Sequence, residues 1–477
     1  MAYKVSNRMQ PIMLPPVIDD YVGPQDPVRA YDAFGEALDL KALGIPTEPQ
    51  GSADEYYPKD LLKLLIYAYS YGHRSSRHIE RACYHNLSFQ WLMGGLKPDY
   101  RTIGRFRSKY KEQIKQVLKQ CVRICMDLDL IEGNTLFTDG SKFRANASVN
   151  QTWTKEKCQR YLSKIDDQID RLLEECETVD NNEADQNSMV KLREKIGDKE
   201  QLVQKIHGIL DKLKDSDKEY INSTDADSVK AKGRQGTHAS YNVQINVDNK
   251  HGLIVHGEGV SENNDLHQLK DQLEKSAQNL GQKPRNSCTD SGYHSTEDLA
   301  RIDKDIQLIV PSKEQAQEEN GRYAPKPFDK EQFAYDKEMD EYICPEGKRL
   351  KYQGLDHKKH SKRYQASALD CRACRHFGIC TSSKAGRTMN RLLQEDFRQQ
   401  LKDIYDSPEG QQIYQLRKEK VEHPFGHFKR NLAAGQFMLR GKEKVDAEVS
   451  ILSTCFNIAR MITIIGVPGL IAKLRGG

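Results

Sequence analysis

The apolar positions of this chain change period several times, and each change marks a different kind of element. From Tyr57 to Tyr71, Leu61, Leu62, Leu64, Leu65 and Ile66 form a nearly continuous apolar stretch that predicts a buried helix. Gly72 ends it, and Ser75 or Ser76 caps a second helix through Ile79 and Cys83. Asp99, after Pro98, caps a long third helix in which Ile103, Phe106, Tyr110, Ile114, Val117, Cys121, Ile124 and Leu128 recur at helical spacing. Arg101, Arg105, Arg107, Lys109 and Lys111 decorate its first turns. Short helices with a basic one after a Gly-containing turn suit a DNA-binding helix-turn-helix, although many helical domains show the same pattern.

At Thr135-Leu-Phe-Thr-Asp139-Gly140 the period switches to a β-prone run that ends at an acid and a glycine. Two amphipathic stripes follow: Cys158, Leu162, Ile165, Ile169, Leu172 and Cys176, then Leu202, Ile206, Ile209 and Leu213. The polar stretch Val179 to Ser188 between them reads as a loop, so an antiparallel helical hairpin is expected. Alternation resumes over His238–Asp248 and Gly252–Val260, joined by the turn Asn249-Lys250-His251, which predicts neighbouring antiparallel strands. A helix near Leu266–Leu280 leads to Ser287-Cys-Thr-Asp290-Ser-Gly292, a second short run ending at an aspartate before glycine. A helix at Thr296–Ile302, a strand at Ile306–Pro311, a cysteine-bearing insertion and helices from Met389 onward complete the series. Such an order predicts an α/β chain, a mixed sheet flanked by helices and interrupted by two insertions.

The length of 477 residues suggests two to four units, and 37% hydrophobic residues suffice for a real core. The longest apolar run, Met461 to Ala472, is broken by Gly466, Pro468 and Gly469, well short of the roughly 18 residues of a membrane span. The N-terminus, with Lys4, Arg8 and a Pro-broken apolar patch, lacks the apolar stretch of a signal peptide. Eleven cysteines, scattered except for one cluster, are no secreted disulfide framework. A soluble cytoplasmic chain is expected, with no membrane partner. The net charge of +4 hides an uneven distribution. Lys155–Asp227 carries 13 Lys/Arg against 19 Asp/Glu, Cys344–Arg391 carries 12 against 3, and Gln411–Lys444 carries 8 against 3. The two basic blocks read as a nucleic-acid footprint or, more plainly, as an unevenly charged surface.

Asp139 and Asp290 share a context at the end of a predicted strand, where open α/β sheets place their chemistry. A third acid sits in Tyr414-Gln-Leu-Arg417-Lys418-Glu-Lys-Val-Glu422-His-Pro-Phe-Gly-His-Phe-Lys429. On one helix Lys418, Glu422 and Lys429 can share a face if Pro424 only kinks it. Three converging carboxylates repel one another unless divalent cations neutralise them, and two Mg²⁺ ions held by such a trio suit in-line phosphoryl displacement. Taken one at a time, an acid after a strand is an ordinary loop residue. Glu419 is the rival third acid; a helical surface pair with neighbouring lysines accounts for it more simply.

At these motifs the sequence resembles the DDE transposases of bacterial insertion sequences. Phe137-Thr-Asp-Gly-Ser-Lys-Phe-Arg-Ala-Asn146 is similar to the first-aspartate strand of that family, Thr289-Asp-Ser-Gly-Tyr-His294 to its second-aspartate motif, and Arg417 through Lys429 to its glutamate signature. Ser76-Arg-His-Ile-Glu80 and Pro98-Asp-Tyr-Arg-Thr-Ile-Gly-Arg-Phe-Arg107 resemble its N-terminal helical domain. The commoner pattern has three residues between arginine and glutamate; here Arg417 and Glu422 have four, so Lys418 stands at the usual spacing. The six-residue gap from Glu422 to Lys429 fits.

The resemblance implies a ribonuclease-H-like catalytic domain (131–312 and 389–477) after an N-terminal helical DNA-binding domain (1–130), with the hairpin (150–225) and a basic Cys-rich segment (313–388) inserted. It implies Asp139, Asp290 and Glu422 as catalytic ligands of Mg²⁺ or Mn²⁺, two ions in all. DNA is then held by Arg101, Arg105, Arg107, Lys429 and either Arg417 or Lys418. Expected partners are the terminal inverted repeats, target DNA and a second copy in the synaptic complex, at the nucleoid. Two other classes compete: a former transposase that binds DNA without cutting it, and another ribonuclease-H-like nuclease such as a junction resolvase.

Cys371-x2-Cys374-x5-Cys380, with Cys344 upstream, supplies four thiolates that suit one structural Zn²⁺. His357, His360 or His376 can replace a cysteine, and a set of reduced thiols in a small basic insertion explains the pattern equally well. So charged a segment is expected to have little core of its own, leaving the metal to hold it together.

Overall fold

The computed structural model describes residues 17–48, 56–181, 186–216, 218–233, 236–319, 321–322, 327–357 and 360–476. For 176–181, 186–190, 192 and 193 it describes the backbone alone. Its centre is a mixed sheet of β1 (Thr135–Arg144), β2 (Gly236–Asp248), β3 (Ile254–Val260), β4 (Asn286–Cys288) and β5 (Gln307–Ile309). The strands lie in the order β3-β2-β1-β4-β5. β2 runs antiparallel to both β3 and β1, while β4 and β5 run parallel to β1. Val229–Gly233 adds a sixth strand against the start of β2. This is the ribonuclease-H-like arrangement, and the expected turn after Asp248 joins β2 to β3.

One expectation fails in an instructive place. Asp139 does not end β1, which continues through Gly140 to Arg144 because β2 pairs with it residue for residue, Asp139 opposite Ile245 and Arg144 opposite Ser240. Glycine removes a side chain there without ending the strand.

Helices α1 (Pro27–Ala37), α2 (Pro58–Ser70), α3 (Ser76–His85), α4 (Tyr100–Lys109) and α5 (Lys111–Asp127) come first. The long third helix of the sequence pattern is two helices, broken at Tyr110 (φ −104°, ψ 27°). No Gly or Pro marks the break. It lets Ile103 and Phe106 serve one contact and Ile114, Val117 and Cys121 another. The inserted hairpin is α6 (Lys155–Asn181) and α7 (Gln186–Asp215), closed by Trp153, Cys158, Ile165, Ile206, Ile209 and Leu213. Of the stretch expected to be a loop, 179–181 and 186–188 are helical, since Gln and Asn do not prevent a helix, and 182–185 lie outside the described residues. The side chain of Cys176 lies outside the described residues.

After α8 (Leu269–Leu280) come α9 (Glu395–Asp406), α10 (Pro408–Arg430), α11 (Lys442–Ile465) and α12 (Val467–Arg475). Met389 belongs to a strand, not to the start of these helices. Among the described residues α11 is long and apolar enough to cross a membrane, contrary to the reading from unbroken apolar runs. Its apolar surface is used otherwise. Val449, Ile451, Leu452, Cys455, Phe456 and Ile458 are buried in one apolar cluster with residues of α2, α5 and β3.

A buried ion pair ties this cluster together. Arg74, just beyond α2, pairs with Glu448 of α11, their side chains 5% and 0% exposed. Arg74 also donates to the carbonyls of Ala433 and Gln436, and Glu448 accepts from the backbone of Met438 and Leu439. Removing one partner strands the other charge in the core. Glu448→Ala is therefore expected to cost about 3–5 kcal/mol, read as a lower denaturation midpoint.

Inserted before α9 is a five-stranded antiparallel sheet of Ala334–Asp336, Glu341–Ile343, Arg349–Asp356, Ser361–Ala366 and Thr388–Leu392. Phe333, Tyr342, Leu350, Tyr364, Ala366 and Met389 give it a core, which the charge-rich composition concealed.

Candidate active site

Two aspartates, an arginine and an unforeseen third aspartate meet near the middle of β1. Asp139 is held on that strand with a carboxylate oxygen accepting from the Gly140 amide at 2.9 Å. Above it lies α10, seated by Val421, Ile413 and Tyr414 against Phe137, Cys288, Ile309 and Tyr405. That packing brings the Arg417 guanidinium within 3.6 Å of Asp139, with the Arg417 side chain 17% exposed. Burial pushes the Asp139 carboxyl up to about 6; Arg417 opposes the shift, and the charges of Asp290 and Asp265 add to it. Burial works against the Arg417 charge, yet Asp139 and Asp290 keep its proton more firmly held than usual.

Asp290 follows β4 as expected and caps a short turn, its Oδ1 accepting from the Gly292 amide at 2.8 Å. Asp265, in the loop after β3, was missed. Its Oδ1 accepts from Asn242 Nδ2 at 2.7 Å and Gln244 Nε2 at 2.6 Å, both on β2. A side chain on Gly140 would collide with this carboxylate, so glycine there lets Asp265 lie against β1. The available signal was an acid closely following a predicted strand, the same context that marked Asp139 and Asp290.

The glutamate stands differently. Glu422 is exposed on α10 between Arg417 and Lys429, and among the described residues its carboxylate makes no hydrogen bond or ion pair. Lys429 reaches Ser141 Oγ at 2.6 Å and lies 4.7 Å from the Phe143 ring centroid. The flank carrying Glu422 and Lys429, two helical turns apart, therefore faces β1. Glu419 lines a separate cleft with Lys250, His251, Lys420, His423 and Arg460. Lys418 is exposed, and Arg417 is the residue that meets the acid. Pro424 does not interrupt α10. Among the described residues no three His, Cys, Asp or Glu side chains are drawn into a ready metal cage.

In the inserted sheet Cys344, Cys371, Cys374 and Cys380 border one cavity of about 40 Å³, with His376 beside them. Backbone amides point at three of the sulfurs: Lys348 at Cys344 (3.3 Å), Arg387 at Cys371 (3.4 Å) and His376 at Cys374 (3.5 Å).

Two family descriptions match the chain. Residues 343–462 match the Transposase DDE domain, and residues 17–109 match the Transposase domain (DUF772). These matches, over two separate segments of the chain, support an insertion-sequence DDE transposase. No curated protein and no solved structure matches it. The DDE match takes in Arg417, Glu422, Lys429 and the four cysteines, while Asp139 and Asp290 precede it.

DDE transposase domains act on DNA and use divalent metal ions. The residues of this transposase fit such an ion. Asp139, Asp290 and Asp265 offer hard oxygen donors, and among the described residues Asn242 Oδ1, fully buried, has no hydrogen-bond donor. In the N-terminal region of the transposase Arg101 and Arg105 are exposed on α4. Arg107 turns inward, donating to the Tyr69 hydroxyl at 3.0 Å and the Arg74 carbonyl at 3.1 Å.

Proposed function

We infer that this transposase binds the terminal inverted repeats of its element and catalyses Mg²⁺-dependent strand cleavage and strand transfer. The observation that carries this reading is the meeting of Asp139, Asp290 and Arg417 where α10 crosses β1. Asp139 and Asp290, with Glu422 from the flank of α10, would hold the ions. Bound there, Mg²⁺ or Mn²⁺ would neutralise charge on the attacking and leaving oxygens of a phosphoryl displacement. Arg417 orients Asp139 and keeps it ionised beside the other acids. Lys429, next to Ser141, contacts a phosphate near the cut. Arg101 and Arg105 carry the terminal-repeat contacts, and Arg107 holds α4 against Tyr69 so that they are presented. Two copies synapse the two ends, and the chain works at the nucleoid. The four cysteines hold one Zn²⁺ that is structural, since four protein ligands leave no open position.

The test is purified protein with Mg²⁺ and labelled element ends, compared with random DNA of equal length. Cleavage and joining confined to the ends are expected, with Glu422→Gln inactive and Glu419→Gln active. Binding without cleavage by the native chain would instead support the non-catalytic binder, and the reverse order of the two glutamate variants would move the third acid to Glu419.

A further inference from the structure

Asp265 is placed too specifically to be a loop acid. It comes from outside every motif that marked the other site residues, yet one of its oxygens is fixed by the sheet and the other is turned to Asp290. Oδ1 is fixed by Asn242 and Gln244, whose side chains are fully buried on β2. Gln244 is in turn held by the hydroxyl of buried Tyr293, the residue after Gly292 in the second-aspartate motif. One chain of contacts thus links the motif bearing Asp290 to Asp265. Oδ2 accepts no hydrogen bond among the described residues. It faces Asp290: a point one bond off the Gly292 backbone lies 2.9 Å from Asp290 Oδ1 and 3.5 Å from Asp265 Oδ2.

A second, independent observation points to a ligand there. Asn242 is fully buried, and its Nδ2 is committed to Asp265 Oδ1 and the Asn264 carbonyl, which sets the direction of the amide. Its Oδ1 is left buried without a donor among the described residues, 3.0 Å from where a Gly140 side chain would begin. An orphaned buried amide oxygen is destabilising unless something positive meets it. The described cation nearest in effect is Lys142, whose ammonium burial holds below its usual range while Asp265 opposes that shift. The Asp265 carboxylate thus lies beside the Asn242 amide oxygen at Gly140 and beside the Asp290 carboxylate at Gly292, and such oxygens are donors that a hard divalent cation takes.

We propose that Asp265 is a fourth acid of the catalytic centre, which with Asp290 and the Asn242 amide oxygen holds a divalent cation beside Asp139. This rests on the proposed metal-dependent function and extends it. Magnesium is commonly held by one or two carboxylates and completed by water and substrate phosphate, so a site open on the DNA side meets its needs. Asn242, Gln244 and Tyr293 are positioning residues for it, and Gly140 and Gly292 leave room for the carboxylates.

Mn²⁺ binding to the full chain without DNA tests the proposal, by calorimetry and by the electron paramagnetic resonance signal of free Mn²⁺. Asp265→Asn keeps the volume and one acceptor for the β2 amides while removing the charge. It is expected to weaken Mn²⁺ binding by about ten-fold or more, as Asp290→Asn does. Without cation its melting temperature should stay near that of the native chain, and the rise that Mn²⁺ gives the native chain should be lost. A purely structural role predicts the opposite pair: a lower melting temperature and an unchanged Mn²⁺ affinity. If Asp265→Asn fails to fold, Asp265→Ser enters the same titration. Native affinity in the Asp265 variant with loss in Asp290→Asn overturns the proposal and leaves the metal-dependent reading standing. Native affinity in both overturns the two together.

Discussion

Asp139→Asn and Asp290→Asn are each expected to lower Mg²⁺-dependent cleavage of element ends on the order of a thousand-fold or more, with binding to those ends retained. Asparagine keeps the shape of the side chain but lacks the charge that holds a cation. Asp139 carries a second consequence that separates it from a surface acid. Burial, opposed by Arg417 and reinforced by Asp290 and Asp265, raises its carboxyl to about 6. An acid raised in the folded state favours folding while protonated. That contribution is complete below the ordinary aspartate value and is lost as pH rises through about 6. Near pH 8 the folded chain thus carries an ionised carboxylate that its surroundings disfavour by on the order of 3 kcal/mol. Asp139→Asn removes it and should melt higher than the native chain at about pH 8, the gap closing towards about pH 4. Equal melting at both pH values would show that Asp139 is not held in this repulsive cluster. Retained cleavage in either variant would take that aspartate out of the chemistry.

The second large effect concerns the cysteines. Protein purified without chelators is expected to hold about one Zn²⁺ per chain, absent from a Cys371→Ser Cys374→Ser variant. Structural zinc contributes on the order of 10 kcal/mol to folding in small domains. Here the five-stranded sheet has its own core around Tyr342, Leu350 and Tyr364, so the loss should be local. Residues 367–387 form one short helix, turns and loop, and expose Leu369, Phe377 and Ile379. Limited proteolysis of the double variant should therefore cut between 367 and 387 first and leave the sheet intact. Substoichiometric zinc that does not change in the variant would reduce the cluster to four reduced thiols.

Much of the candidate site was readable because the residues proposed for its chemistry carry local signals. Asp139 and Asp290 each adjoin a β-prone run and a glycine, and α10 advertises itself through Tyr414, Arg417, Glu422 and Lys429. Asp265 offered only its place soon after a predicted strand. Its motif-free loop differs from any other acidic loop only through Asn242 and Gln244, which lie more than twenty residues earlier and meet it across the sheet. The choice between Arg417 and Lys418 was closed to sequence for a related reason. Spacing along a helix fixes relative angles but not which face is turned to the sheet, and that is set by Val421 packing against Phe137 and Cys288.

The sequence by itself determined the order and kind of the elements. Period, caps and turn residues act within a few positions, so the paired β2 and β3, the helical hairpin and most helix starts follow from local pattern. The apolar runs also made a large core inevitable. Only the tertiary structure decided how those elements end and what they share. The break at Tyr110, the extension of β1 past Asp139 and the burial of α11 between α2, α5 and β3 each depend on partners distant in sequence. The same is true of the charges. Arg74 and Glu448 are unremarkable in sequence, and Asp139 is one acid among 69 acidic residues, until folding removes the water around them. Desolvation and through-space charge have no sequence period, and so they are set by the packed structure alone.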